Sequence, residues 1–156
     1  MNIPTTEEKF DDLKSVIIVS GKVYLPYWQG NVKISTTLEE FHACGNRACI
    51  AGHLAISPLF QKHGGGVYLD GAPLLRHVKR MDAYGTNAVE LWFFGNENAS
   101  EKTQMVITGS CDLYRVRNWW RWGSEEAVAA LGLLENREKY TDDEFLNLLN
   151  GLYECE

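Results

Sequence analysis

No run of apolar residues in this chain approaches the roughly 20 that a membrane-crossing helix needs. The opening stretch, Met1-Asn-Ile-Pro-Thr-Thr-Glu-Glu8, has neither the basic nor the apolar region of a secretory leader. The expectation from both absences is a cytoplasmic protein with no membrane partner. A surplus of positive charge is also missing: Lys and Arg number 15 against 21 Asp and Glu, a formal net charge of −6. Binding to double-stranded nucleic acid is therefore disfavoured, because phosphates are engaged by net positive potential. Cysteine is sparse, at positions 44, 49, 111 and 155, and in a reducing compartment these are thiols or ligands rather than disulfides. Neither an internal repeat, a linker nor a low-complexity segment interrupts the chain.

What is present suits one core. A chain of 156 residues that is 45% apolar and 12% aromatic is long enough for a single globular domain over residues 1–156 and short for two. Four pairs have capping-box spacing: Thr5 with Glu8, Thr37 with Glu40, Asn87 with Glu90, and Thr141 with Glu144. They predict helices from about 6 to 17, from 38 to Gly45, through Val89–Phe94, and over a last segment with Phe145, Leu148, Leu149 and Leu152 on its buried face. Asn46 is expected to cap a helix over 47–56, Ser57-Pro58 to restart one, and Ser124 to cap another over 125–134. A small hairpin is expected from 23–28 and 32–35, and strands over 67–69 and 105–108, with helix over 74–81 and a loop over 95–103. The fold class expected is α+β, a mainly helical single domain with a small β-hairpin or short sheet.

Reactive side chains concentrate between Phe41 and Ala55, which hold two cysteines, two histidines and two glycines. Cys49 and His53 are four apart, so a helix puts them on one face. His42 and Cys44 stand just upstream, and the four form a candidate zinc set of thiolates and imidazoles. The spacing matches no common zinc knuckle, and the small residues Ala48, Ala51, Gly52 and Ala55 favour the alternative of a tightly packed helix with inert, buried cysteine. Cys44 or Cys49 as a nucleophile, partnered by His53, is a further alternative without a catalytic signature around it. Cys44-Gly-Asn-Arg-Ala-Cys-Ile-Ala-Gly-His-Leu-Ala55 resembles a motif of small uncharacterised proteins of phages and of phage-like genes in bacterial genomes, approximately Cys-Gly-Thr-x-x-Cys-Ile-Ala-Gly-His/Trp-Ala. Here Asn46 replaces the usual threonine. The resemblance implies a phage-type origin and a helical setting for Cys49 and His53, and it carries over no functional residue.

The second concentration is Arg115-Val-Arg-Asn-Trp-Trp-Arg-Trp122. Arg and Trp are the residues most enriched at binding hot spots, and they also suit stacking on a base while holding its phosphate. Arg115, Arg117, Trp119, Trp120, Arg121 and Trp122 are thus the candidate partner- or ligand-binding residues, against the alternative that Trp119 and Trp122 only anchor the segment to the core. Gly64-Gly-Gly66 lacks the context of a phosphate loop, His63 and His77 stand alone, and the paired acidic residues sit at helix starts.

The functional expectation is binding rather than chemistry, since no activated nucleophile or acid–base pair stands out. The protein expected is a phage-encoded accessory factor that inhibits a bacterial host protein, of immune defence for example, by direct contact. One alternative is a small-ligand binder that sequesters a nucleotide; the other is a zinc-stabilised interaction module.

Overall fold

The structure, a computed structural model, describes residues 2–30, 33–76 and 81–153. Helix α1 (Thr6–Ser20) starts where the Thr5 hydroxyl accepts from the Glu8 amide at 3.1 Å and the Glu8 carboxylate accepts from the Thr5 amide at 3.1 Å. Two of the orphan amides of a helix start are satisfied at once. The helix turns Phe10, Leu13, Val16 and Ile17 inward, and Phe10 stacks on Phe93 with centroids 4.0 Å apart. It outlasts the expected end at 17 by one turn, closed by left-handed Gly21.

Two short helices follow, α2 (Leu38–Ala43) and α3 (Ile50–Ala55), and then α4 (Pro58–Lys62), with Thr37, Cys49 and Ser57 as their caps. Every residue of α3 is buried. The cap at Cys49 corrects the expected helix over 47–56, because Arg47 and Ala48 stay extended to meet a neighbouring segment. That segment is the one read as half of a hairpin. Val23 and Gln29 instead bridge the same residue, Ala48, one in parallel and one antiparallel sense; of the expected partner strand, Val32 lies outside the described residues and 33–35 form no strand.

The sheet lies elsewhere. Strands β1 (Gly65–Val67), β2 (Pro73–Leu75) and β3 (Ala83–Tyr84) pair antiparallel in that order, with Gly66 opposite Leu74 and Leu74 opposite Tyr84. Leu74 and Leu75, read as the start of a helix, are thus in the central strand; His77 and the rest of that segment to residue 80 fall outside the described residues. Helix α5 (Gly85–Phe94) lies against β2 and carries Ala88, Val89, Trp92 and Phe93 into the core. Residues 105–108, read as a strand from Val106 and Ile107, belong to helix α6 (Glu101–Thr108), whose cap is Ser100. β-branched residues prefer strands only weakly, and a capped helix start with three consecutive buried positions overrides that preference.

A 3₁₀ turn at Trp119–Arg121 leads into α7 (Ser124–Glu135); Ser124, expected as its cap, is already helical, and the cap is Gly123, whose amide donates to the Glu126 carboxylate at 3.0 Å. A second 3₁₀ turn, Arg137–Lys139, precedes α8 (Asp142–Asn150), which has the expected Thr141–Glu144 box. Helix α7 packs along α1, and α8 along α6. On α8 Phe145 and Leu149 are buried while Leu148 faces out. The chain is a mainly helical α+β domain with one dominant core. Among the described residues no helix is long and apolar enough to cross a membrane.

Candidate functional site

Cys49 and His53 of the 41–55 motif are held by hydrogen bonds within the fold. The Cys49 sulfur caps α3 by accepting from the Gly52 amide at 3.3 Å. Burial pushes its thiol up to about 12, and the hydrogen bonds from nearby amides pull the other way too weakly to reverse this. A thiol that stays protonated is neither a nucleophile nor a ready metal ligand. His53 is wholly buried, with Nδ1 2.9 Å from the Cys49 carbonyl oxygen and Nε2 2.6 Å from the Ser20 hydroxyl. A carbonyl only accepts, so Nδ1 carries the proton and Nε2 accepts from Ser20. Burial holds the imidazole down to about 4, which keeps it neutral. Phe41 closes over the ring, with centroids 5.4 Å apart.

The anticipated Cys49–His53 pairing therefore exists, but through the backbone oxygen of Cys49 and not its sulfur. Cys44 is exposed, its sulfur 3.2 Å from the Ser35 hydroxyl, and His42 is exposed as well. Among the described residues no group of three or more His, Cys, Asp and Glu side chains is placed to hold a metal ion. The four candidate ligands His42, Cys44, Cys49 and His53 are not brought together.

The Arg/Trp segment divides into anchors and an outer face. Val116 and Trp122 are buried. Trp119 is half-buried; its indole Nε1 donates to the Val106 carbonyl at 3.0 Å, tying it to α6. Its ring lies against Gly109, where a Cβ would come within 2.6 Å of ring carbons and where φ is +76°, so only glycine fits. Asn118 adopts a left-handed conformation at φ 57°, and the Arg117 amide donates to Asn150 of α8 at 2.7 Å. Trp120 is thereby held outward, 57% exposed, with Arg115, Arg117 and Arg121 also on the surface.

The same anchoring brings the two sequence features together. A groove of about 460 Å³ is lined by Trp119, Ile107 and Thr108 together with Leu25 to Gln29, Cys49 and Asp70. Nothing in the sequence pointed to Tyr27, Trp28 or Asp70 as neighbours of Trp119. Trp28 is set by α3: a Cβ on Gly52 would lie 1.8 Å from the Trp28 carbonyl oxygen, so the missing side chain is what lets residues 25–29 reach the helix. Gln29 is fixed from behind. Its amide donates to the Ser35 carbonyl at 2.7 Å and accepts from the Ser35 amide at 2.8 Å and from Asn46 at 2.6 Å.

A buried ion pair was equally hidden. Glu90, read as a helix-cap residue, points into the interior and meets Arg137 through two bonds of 2.8 Å, Nη1 to Oε1 and Nη2 to Oε2. Thr103 donates to the same carboxylate at 2.6 Å, the Ser100 amide and Asn96 add two more bonds, and the guanidinium lies over the Phe94 ring at 3.6 Å. Burial alone would raise the Glu90 carboxyl, but these donors outweigh it and hold it below its ordinary value. The pair is saturated by its own neighbours and joins α5, α6 and the turn before α8. A lone charge within Ala88-Val-Glu-Leu-Trp-Phe-Phe94 was the available signal. Compared with protein-family models, characterised proteins and solved structures, the chain matches none.

Proposed function

We propose that this is a binding protein that engages a partner protein through the outer face of the 115–122 segment. The observation that carries this reading is Trp120. A tryptophan 57% exposed, on a short turn whose neighbours Trp119 and Trp122 are fixed in the protein body, is an apolar side chain presented at little further cost in chain entropy. Arg115 and Arg117 beside it supply the charge that the rest of an acidic surface lacks. Following the phage-type resemblance of residues 44–55, the partner proposed is a bacterial host protein, and the proposed consequence of contact is its inhibition. The reading implies no catalytic residue.

Affinity capture from a bacterial lysate tests it. Trp120→Ala combined with Arg117→Ala should abolish capture while moving the thermal midpoint by a degree or two, since both side chains lie outside the core. Trp122→Ala should instead lower stability by about 3–5 kcal/mol. Capture that survives the outer-face double substitution would sink the proposal. Neither the zinc-stabilised module nor the nucleotide binder draws support from a specific contact.

A further inference from the structure

We infer that the groove between residues 25–29 and Trp119 is a binding site for a small organic cation, a role independent of the partner-binding face. Its polar side chains are mostly committed to the fold: Gln29 to Ser35 and Asn46, the Thr108 hydroxyl to the carbonyls of Gln104 and Ser110 at 2.7 and 2.8 Å, the Cys49 sulfur to the Gly52 amide, and the Trp119 indole to Val106. Among the described residues, the Tyr27 hydroxyl and one Asp70 oxygen have no partner; the other Asp70 oxygen accepts from the Ala72 amide at 3.0 Å. The groove is therefore lined by three aromatic residues, Tyr27, Trp28 and Trp119, and one carboxylate; the Tyr27 ring stacks on Tyr24 with centroids 5.6 Å apart and stays 59% exposed.

No Lys, Arg or His occurs among the described residues that line it. A phosphate would meet only a like charge there and would not be held. An ammonium group is attracted both by ring faces, through their quadrupoles, and by the carboxylate. The volume of about 460 Å³ accepts a ligand of metabolite size. The walls are held in place: the Trp28 backbone carbonyl sits against Gly52 of α3 and its ring edge beside Gly85, and the Trp119 ring lies against Gly109 at the end of α6. Aromatic walls that need no rearrangement bind without an ordering cost. The ligand class favoured at this site is a quaternary or alkylated amine.

The test uses the full chain and its indole N–H resonances, titrated with choline, with the uncharged carbon isostere of choline in which a tert-butyl group replaces trimethylammonium, and with adenosine monophosphate. Choline should shift the indole signals of Trp28 and Trp119 saturably, and the uncharged isostere should bind at least about tenfold more weakly. Asp70→Asn keeps the bond from Ala72 and should weaken choline about tenfold at an unchanged thermal midpoint; Tyr27→Ala, at an exposed position, gives a second reading that does not touch the core. Equal binding of the uncharged isostere, tighter binding of adenosine monophosphate than of choline, or no shift with choline at tens of millimolar would each overturn the assignment. None of these outcomes bears on lysate capture by Trp120, so the two proposals fail separately.

Discussion

Two buried ionisable residues illustrate how the interior treats charge. His53 is kept uncharged: burial disfavours the imidazolium, and one donor and one acceptor complete the neutral ring. Glu90 is kept charged, because Arg137, Thr103, Asn96 and the Ser100 amide satisfy it. Removing either member of the Glu90–Arg137 pair leaves the other buried and unpaired, so Glu90→Gln and Arg137→Met should each lower stability by about 3–5 kcal/mol. Combined, they should cost well below the sum, with a coupling of about 2–3 kcal/mol in a double-mutant cycle read by urea unfolding. Simple additivity would show that the pair is not the unit it looks to be. The sequence hid this pair because Asn87 and Glu90 have the spacing of a cap; Asn87 instead accepts from the Ala99 amide at 3.0 Å. Spacing specifies which residues are near along the chain, not which of them the fold turns inward.

Helices whose starts rest on local bonds were legible in the sequence, as the boxes at Thr5 and Thr141 and the Ser57-Pro58 restart demonstrate. Elements decided by long-range partners were not. Residues 73–75 become a strand because β1 and β3 flank them, and 23–29 fail to form a hairpin because Ala48 takes both bridges. Two glycines, each inside a helix, separate these situations. At Gly52 a Cβ would strike the Trp28 carbonyl, so Gly52→Ala must push residues 25–29 off α3 and should cost about 3 kcal/mol or more while weakening any ligand of the groove. At Gly132 in α7 a Cβ meets nothing closer than the flexible end of Lys14 at 4.0 Å. Gly132→Ala should therefore stabilise by about 0.5–1 kcal/mol through helix propensity. Thermal and urea unfolding of both variants would test the contrast, and equal effects would refute the packing argument.

At the scale of the molecule these residues set the response to acid. The folded pKa of His53 lies near 4, below its ordinary 6.5. Between those values the unfolded chain binds a proton that the folded chain refuses, so stability rises with pH across that window and is lost as pH falls through it. The full loss is roughly 3 kcal/mol. Glu90 acts lower. Its depressed folded pKa contributes stability above the ordinary 4.5, which disappears as pH falls through the folded value. Urea unfolding from pH 7 to 4.5 should therefore show a decline that His53→Gln flattens, whatever the absolute stability of that variant; an unchanged slope would assign the decline to other groups.

The sequence by itself determined the helical class, the caps at Thr5, Thr37, Ser57 and Thr141, the small-residue character of 48–55 and the concentration of Arg and Trp at 115–122, because each depends on neighbours a few positions apart. Tertiary structure decided how those features are used. It spent both nitrogens of His53 on Ser20 and Cys49, divided the tryptophans between anchor and surface, and set Trp28 and Asp70 in one groove with Trp119. The physical reason is common to all three. A side chain's chemistry is what remains after the fold has taken its hydrogen bonds and its burial, and residues far apart in the chain do the taking.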